Sequence, residues 1–235
     1  MNIQETRMMH RINCCDDKMK VIYFDTETTG LDCRDCQIIE LAMITVIEGK
    51  IVDEYDRFIK VDGKLPPRIT EITGITDQML DDDGFDESKI AEDLRERLTP
   101  NTLMIAHNAQ FDLSFVYSLL QRYYPDADEI LSKMDWLDTL TVLKDRKKYP
   151  HKLVDGVKHY GIQEVNFHRA IDDTRALMDV TRAMINERPD LEEYINIFGF
   201  NPKFGVSGPI FPFIEYKKQY YNNFMVSSGN ILPKK

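Results

Sequence analysis

Val21-Ile22-Tyr23-Phe24 is a continuous apolar run of strand length, the pattern of a central strand buried on both faces. Ile38 to Ile47 is a second β-rich run. Glu48-Gly49-Lys50 reads as a tight turn and Ile51 to Ile59 as a third strand. Connections this short imply antiparallel neighbours, because a parallel return needs a crossover. The pattern changes after Lys60. Pro66-Pro67 opens a short helical piece. The stretch from Asp77 to Glu96 holds nine acidic and two basic residues, and its latter half predicts a surface helix with a solvated acidic face. Thr102 to Ala106 predicts another strand. Helical spacing covers Ala109 to Tyr124, Thr139 to Lys148, Leu153 to Tyr160 and Ala170 to Glu187, with a short piece after Pro189. A meander followed by strand–helix alternation indicates an α/β layer architecture.

Composition narrows the class. The 235 residues carry 30 Lys plus Arg against 40 Asp plus Glu, a net charge of -10, with 43% hydrophobic residues. That is an ordinary globular balance, and it argues against coating nucleic acid through bulk charge. No apolar run approaches the ~20 residues of a membrane span, and the N-terminus lacks a signal-peptide pattern. The expected location is cytoplasmic. Cys14, Cys15, Cys33 and Cys36 read as cytosolic thiols. The adjacent pair suits a four-thiolate zinc site poorly.

The sharper signal is acidic residues in apolar settings. Asp25 and Glu27 end the first strand, and positions i and i+2 face the same way. Two carboxylates there repel and lose hydration unless they reach solvent or share a divalent cation. Asp112 shares a helical stripe with Phe115, Val116, Leu119 and Tyr123. The helix dipole favours an acid in that turn but does not explain its buried face. Asp173 shares a stripe with Leu177, Val180 and Met184, whereas Asp172 sits on a solvated one. His168 can join Asp173 only from the loop before the helix, since five helical residues would turn it ~140° away. There it has the pKa range of a general base. Four inward carboxylates and a histidine match two-metal hydrolysis, with oxygen ligands suited to Mg²⁺ or Mn²⁺ and not Zn²⁺.

These residues fall in motifs. Asp25-Thr26-Glu27-Thr28-Thr29-Gly30-Leu31, His107-Asn108-Ala109-Gln110-Phe111-Asp112 and His168-Arg169-Ala170-Ile171-Asp172-Asp173 resemble, in order, the three motifs of the DnaQ-like (DEDDh) 3′–5′ exonucleases. Ile72-Thr73-Gly74-Ile75-Thr76 and Asp138-Thr139 resemble further family segments. The resemblance covers roughly residues 20 to 187 and is nearest to proofreading domains of bacterial replicative polymerases. It implies a ribonuclease-H-like fold: a mixed five-stranded sheet, antiparallel meander then parallel strands, flanked by helices. It implies release of nucleoside monophosphates from the 3′ end of DNA. Asp25, Glu27, Asp112 and Asp173 would hold two metals, and His168 would be the base. Thr28, Gly30 and Leu31 would meet the terminal nucleotide, and Gly74 and Ile75 its base. His107 and Asn108 would support the second motif at the substrate side. Thr73 stands where many relatives carry His. An exoribonuclease or oligonucleotide-trimming enzyme keeps the same chemistry, and a non-catalytic nucleic-acid-binding domain is the rival of another class.

The expected organisation is an extension over residues 1–19, an exonuclease domain over 20–190 and an aromatic, basic tail over 191–235. Residues 144 to 159 hold six Lys or Arg against two acids, which suits either substrate phosphates or a solvated helix-loop. The tail interleaves Phe200, Phe204, Phe211, Phe213, Tyr216, Tyr220, Tyr221 and Phe224 with lysines. It suits stacking on single-stranded nucleic acid or contact with a polymerase or a second copy. Folding back over its own domain is the simpler reading, because exposed aromatic patches of that size are rare.

Overall fold

The computed structural model describes residues 19–163, 169–220 and 231. The expected extension with Cys14 and Cys15, the segment containing His168, and Tyr221 and Phe224 of the tail lie outside the described residues.

Strands β1 (Lys20–Thr28), β2 (Ile38–Ile47) and β3 (Lys50–Phe58) form the meander, and β4 (Thr102–Ala106) and β5 (Asp135–Asp138) follow in parallel. The sheet order is β3-β2-β1-β4-β5, with β1–β2 and β2–β3 antiparallel and β1–β4 and β4–β5 parallel. The β2–β3 turn has Glu48 at φ 52° and Gly49 at φ 72°. Two successive positive φ values match the twist that a two-residue hairpin requires.

Helices α1 (Pro67–Thr73), α2 (Asp77–Asp83), α3 (Glu87–Arg97), α4 (Ala109–Tyr123) and α5 (Ala127–Ser132) precede β5. Then come α6 (Thr139–Arg146), α7 (Leu153–His159) and α8 (Ala170–Glu187). The continuous apolar run of β1 now has its reason. Ile22 and Phe24 pack with the α3–α4 layer, while Tyr23 packs with the α8 layer. Trp136 of β5 is fully buried and meets Phe24 edge-on at 6.0 Å.

Beyond α8, β6 (Ile197–Phe200) and β7 (Glu215–Lys218) pair in parallel. Phe198, Phe211 and Ile214 belong to the same core as Phe24 and Trp136, so the packed unit runs past residue 190. Gln110 of α4 ties the segment down: its Nε2 donates to Ser207 O and Pro209 O at 2.8 Å each, and its Oε1 accepts from Tyr216 Oη at 2.8 Å. The aromatic residues are mainly internal packing, although Phe204 and Tyr220 stay exposed. Cys33 and Cys36 are free thiols. Among the described residues no helix is long and apolar enough to cross a membrane.

Candidate active site

Strand alternation sets the first two acids. Asp25 and Glu27 continue the Tyr23 face of β1, toward α8, and one carboxylate oxygen from each of Asp25, Glu27 and Asp173 lies within 4.8 Å of the others. Asp172 points away and pairs with Arg175 at 3.2 Å. The two adjacent acids therefore divide as their helical stripes predict.

Asp112 approaches from the other face. Thr26 lies on the α4 side of β1, and its N–H and Oγ1 donate to Asp112 Oδ1 at 3.1 and 2.7 Å. This holds the buried Asp112 beside the cluster without placing it inside the 4.8 Å set.

The electrostatics follow from burial. Loss of water pushes the Asp25 carboxyl well above the usual carboxylate range, and Asp112, Asp173, Glu27 and Glu40 add repulsion. Burial also lifts Glu27 to about 8, reinforced by Asp173, Glu40 and Asp112 and opposed by Arg169. Asp112 rises to about 7 through burial, against the stabilising Thr26 hydrogen bonds. Crowded acids with an all-oxygen donor set fit a hard divalent cation, whose charge would remove the cost of ionising them.

The first-motif loop is built tightly. Thr28 Oγ1 donates to Gly30 O at 2.6 Å, so this hydroxyl is already engaged. A Cβ on Gly30 would stand 2.6 Å from Cys36 Sγ, and only glycine fits there without a shift. Leu31, four residues beyond Glu27, is 89% exposed. Gly74 closes α1 in the left-handed conformation at φ 72°. Ile75 does not present itself as expected against a base. It is 0% exposed and packs with Ile39, Leu65 and Leu80, because Thr73 Oγ1 accepts the Ile75 N–H at 3.1 Å and turns the chain inward. Ile72 is the half-exposed apolar residue of that segment.

His107 acts as a strut. Its Nε2 donates to His151 O at 2.8 Å and its Nδ1 meets Thr139 Oγ1 at 3.0 Å. Burial holds its pKa below the ordinary imidazole value, against the opposing pull of Asp138. Asn108 takes the left-handed conformation at φ 73° that starts α4, a conformation Asn tolerates better than most residues.

The roles of two supports escaped the sequence reading, which named Asp138 only within a family segment and Glu40 not at all. Asp138 Oδ1 accepts from Asn108 N, Ala109 N and Leu140 N at 2.9 to 3.2 Å, and Oδ2 from Thr141 N and Oγ1 at 3.2 and 2.5 Å. One carboxylate thus caps both α4 and α6. Glu40, fully buried in β2, binds Arg169 and the Ala170 N–H. Its signal was present: a single acid inside the apolar run Ile38-Ile39-Glu40-Leu41-Ala42-Met43. In the basic 144–159 stretch, Arg146 is bound to Asp190 and Glu187, and Lys147 to Glu187, which leaves Lys148, Lys152 and Lys158 exposed.

Residues 22–181 match the family described as Exonuclease, of the RNase T type. The chain belongs to the DnaQ-like 3′–5′ exonuclease family. The exonuclease match takes in Asp25, Glu27, Asp112 and Asp173. The chain is 34% identical over 164 residues to the PolC-type DNA polymerase III of Thermotoga petrophila, covering 68% of this chain and 11% of that protein. It is 32% identical over 178 residues to the Staphylococcus haemolyticus protein of the same name, covering 72% and 12%. The exonuclease therefore spans about an eighth of the length of these relatives. Its fold is similar to Exonuclease I of E. coli in complex with single-stranded DNA, at a TM-score of 0.68 and 21% identity over 75% of this chain and 42% of that one. Exonuclease I from Methylocaldum szegediense gives 0.66 and 24%, over 75% and 42%.

Proposed function

We propose that this exonuclease removes nucleoside monophosphates from the 3′ end of DNA, with two Mg²⁺ or Mn²⁺ ions at Asp25, Glu27, Asp112 and Asp173. The observation that carries the reading is the convergence of the Asp25, Glu27 and Asp173 oxygens within 4.8 Å on one sheet face. When bound, the ions supply Lewis-acid stabilisation of charge developing on the phosphodiester oxygens. Thr26 holds Asp112 through two hydrogen bonds. Asp138 fixes the turn from which Asp112 projects. His168, immediately before Arg169 in sequence, takes a proton from the attacking water. Thr28, Gly30 and exposed Leu31 border the terminal nucleotide. His107 and Asn108 shape that side from behind, and Gly74 shapes the neighbouring loop.

DNA is favoured because the polymerase relatives and the Exonuclease I complex are named for DNA. A frayed or single-stranded 3′ end is the substrate form this reading favours, in keeping with the single-stranded DNA in the Exonuclease I complex. The PolC-type DNA polymerase III relatives support a reading in which it works beside a polymerase, and a cytoplasmic location is part of the same proposal. The remaining exposed aromatic residues of the 191–235 tail, Phe204 and Tyr220, are the candidates for contact with that polymerase or a second copy.

The test is a side-by-side digestion of single-stranded DNA, duplex DNA with a mismatched 3′ end, and RNA. Stepwise 3′ shortening of DNA, abolished by EDTA and by Asp25→Ala, is expected. Preference for RNA would move the assignment to an exoribonuclease, and intact substrates throughout would move it to a binding domain.

A further inference from the structure

Glu27 and Glu40 are direct cross-strand partners in the β1–β2 register, one step before the register shifts. Like charges opposite one another on a sheet repel. Among the described residues, Glu40 alone of the two is tied down by hydrogen bonds. Glu40 Oε1 accepts from Arg169 Nε at 3.0 Å and Nη2 at 2.9 Å, and Oε2 accepts from the Ala170 N–H at 3.0 Å. Arg169 also lies over the Phe58 ring at 5.0 Å and 3.9 Å from Asp56. The two acids thus divide the work: one faces the metal site, and the other grips the helix that brings Asp173 there.

The grip sits at the start of α8, where the described residues supply no side-chain cap from the helix's own N-cap position. Its first residue is Ala170, and its N-cap residue is Arg169. An uncapped first N–H facing the sheet is costly. Glu40, 130 residues away in sequence, meets it. Asp173 follows Ala170 by about one turn, ~4.5 Å along the axis, and shares its inward side. A bidentate, charge-assisted hold allows little rotation about that axis.

We propose that Glu40 and Arg169 are a positioning pair that sets the start and rotation of α8, so that Asp173 meets Asp25 and Glu27 at metal-binding distance. This rests on the reading that those three acids hold the metal. Neither residue of the pair touches substrate in this account. Its effect is read in metal affinity, which a role in stability alone would leave unchanged.

The experiment measures Mn²⁺ binding to the full chain by electron paramagnetic resonance, without substrate, for Glu40→Gln, Arg169→Ala and Arg169→Lys. Arg175→Ala is the control. Arg175 also ties α8 to the meander, through Glu54 at 2.9 Å, but from the outer side. Loss of an outer support typically weakens metal binding roughly 10–100-fold, so Glu40→Gln and Arg169→Ala should weaken Mn²⁺ at least roughly tenfold. Arg169→Lys should recover part of the loss, and Arg175→Ala should match the native chain. The metal concentration for half-maximal cleavage should rise in parallel, with KM for an oligonucleotide unchanged at saturating metal.

Folded Glu40→Gln and Arg169→Ala chains whose Mn²⁺ affinity stays within about twofold of native, far short of the usual outer-support loss, overturn the proposal. So does an equal loss in Arg175→Ala, or a native chain that binds no Mn²⁺. If Glu40→Gln fails to melt cooperatively, Arg169→Ala decides, with Arg169→Lys as its charge-keeping rescue. A native chain that binds Mn²⁺ but leaves DNA intact sinks the nuclease reading alone; the pair still stands or falls on the binding series.

Discussion

Glu27 and Asp112 show how far a single carboxyl can be moved by its surroundings. An ordinary carboxyl titrates near ~4; here burial and neighbouring acids bring Glu27 to about 8 and Asp112 to about 7. Both are raised above their unfolded values. The folded state therefore binds more protons, and its stability is full below about 4 and falls as pH rises through about 7 to 8. Melting in EDTA should drop steadily from pH 5 to pH 9, and Mn²⁺ should restore it at the alkaline end. Glu27→Gln should flatten the EDTA profile while lowering cleavage by more than the roughly 100-fold of an outer-support loss. A metal-free melt indifferent to pH would count against this account of the site.

At the scale of elements, the site is held by two long-range caps. Asp138 joins β5 to the starts of α4 and α6 through five donors. Replacing it by Ala strands buried N–H groups, so Asp138→Ala should cost more than the ~1–2 kcal/mol of one lost helix cap, measured by urea unfolding. Cleavage should fall too, because α4 carries Asp112. The longer helices and strands were legible in the sequence since their patterns are local, whereas the short helices Asp77–Asp83 and Ala127–Ser132 were not. Ile38–Ile47, Thr102–Ala106 and Ala170–Glu187 form with the bounds their periodicity predicts. The pair β6–β7 was not legible. Each strand has four residues, and its partner lies across an intervening loop, so neither carries enough periodicity to announce itself.

For the whole molecule, the segment after α8 behaves as core. Phe211 is buried beside Phe213 and Tyr117 at centroid distances of 5.4 Å each. Phe211→Ala should lose about 3–5 kcal/mol, as for other buried aromatics, read by denaturant melting. The overall charge of -10 and the short set of exposed cations near α7 predict shallow salt dependence. With Lys148, Lys152 and Lys158 as the phosphate contacts, log affinity against log salt should slope no more steeply than about -2 on single-stranded DNA. A much steeper slope would require a basic surface elsewhere.

The sequence by itself determined the meander, the strand after it and the long helices, the choice of Asp173 over Asp172 and the acids that could form a site, because amphipathic spacing writes burial into the chain. It also carried the motifs that mark the family. Tertiary structure decided which groups meet. It brought Asp112 in from the opposite sheet face through Thr26, turned Ile75 into the core, and gave Asp138 and Glu40 their roles as distant caps. Those outcomes depend on cross-strand register and on contacts between residues as many as 130 apart. Periodicity reports only which side a residue faces, not what waits for it there.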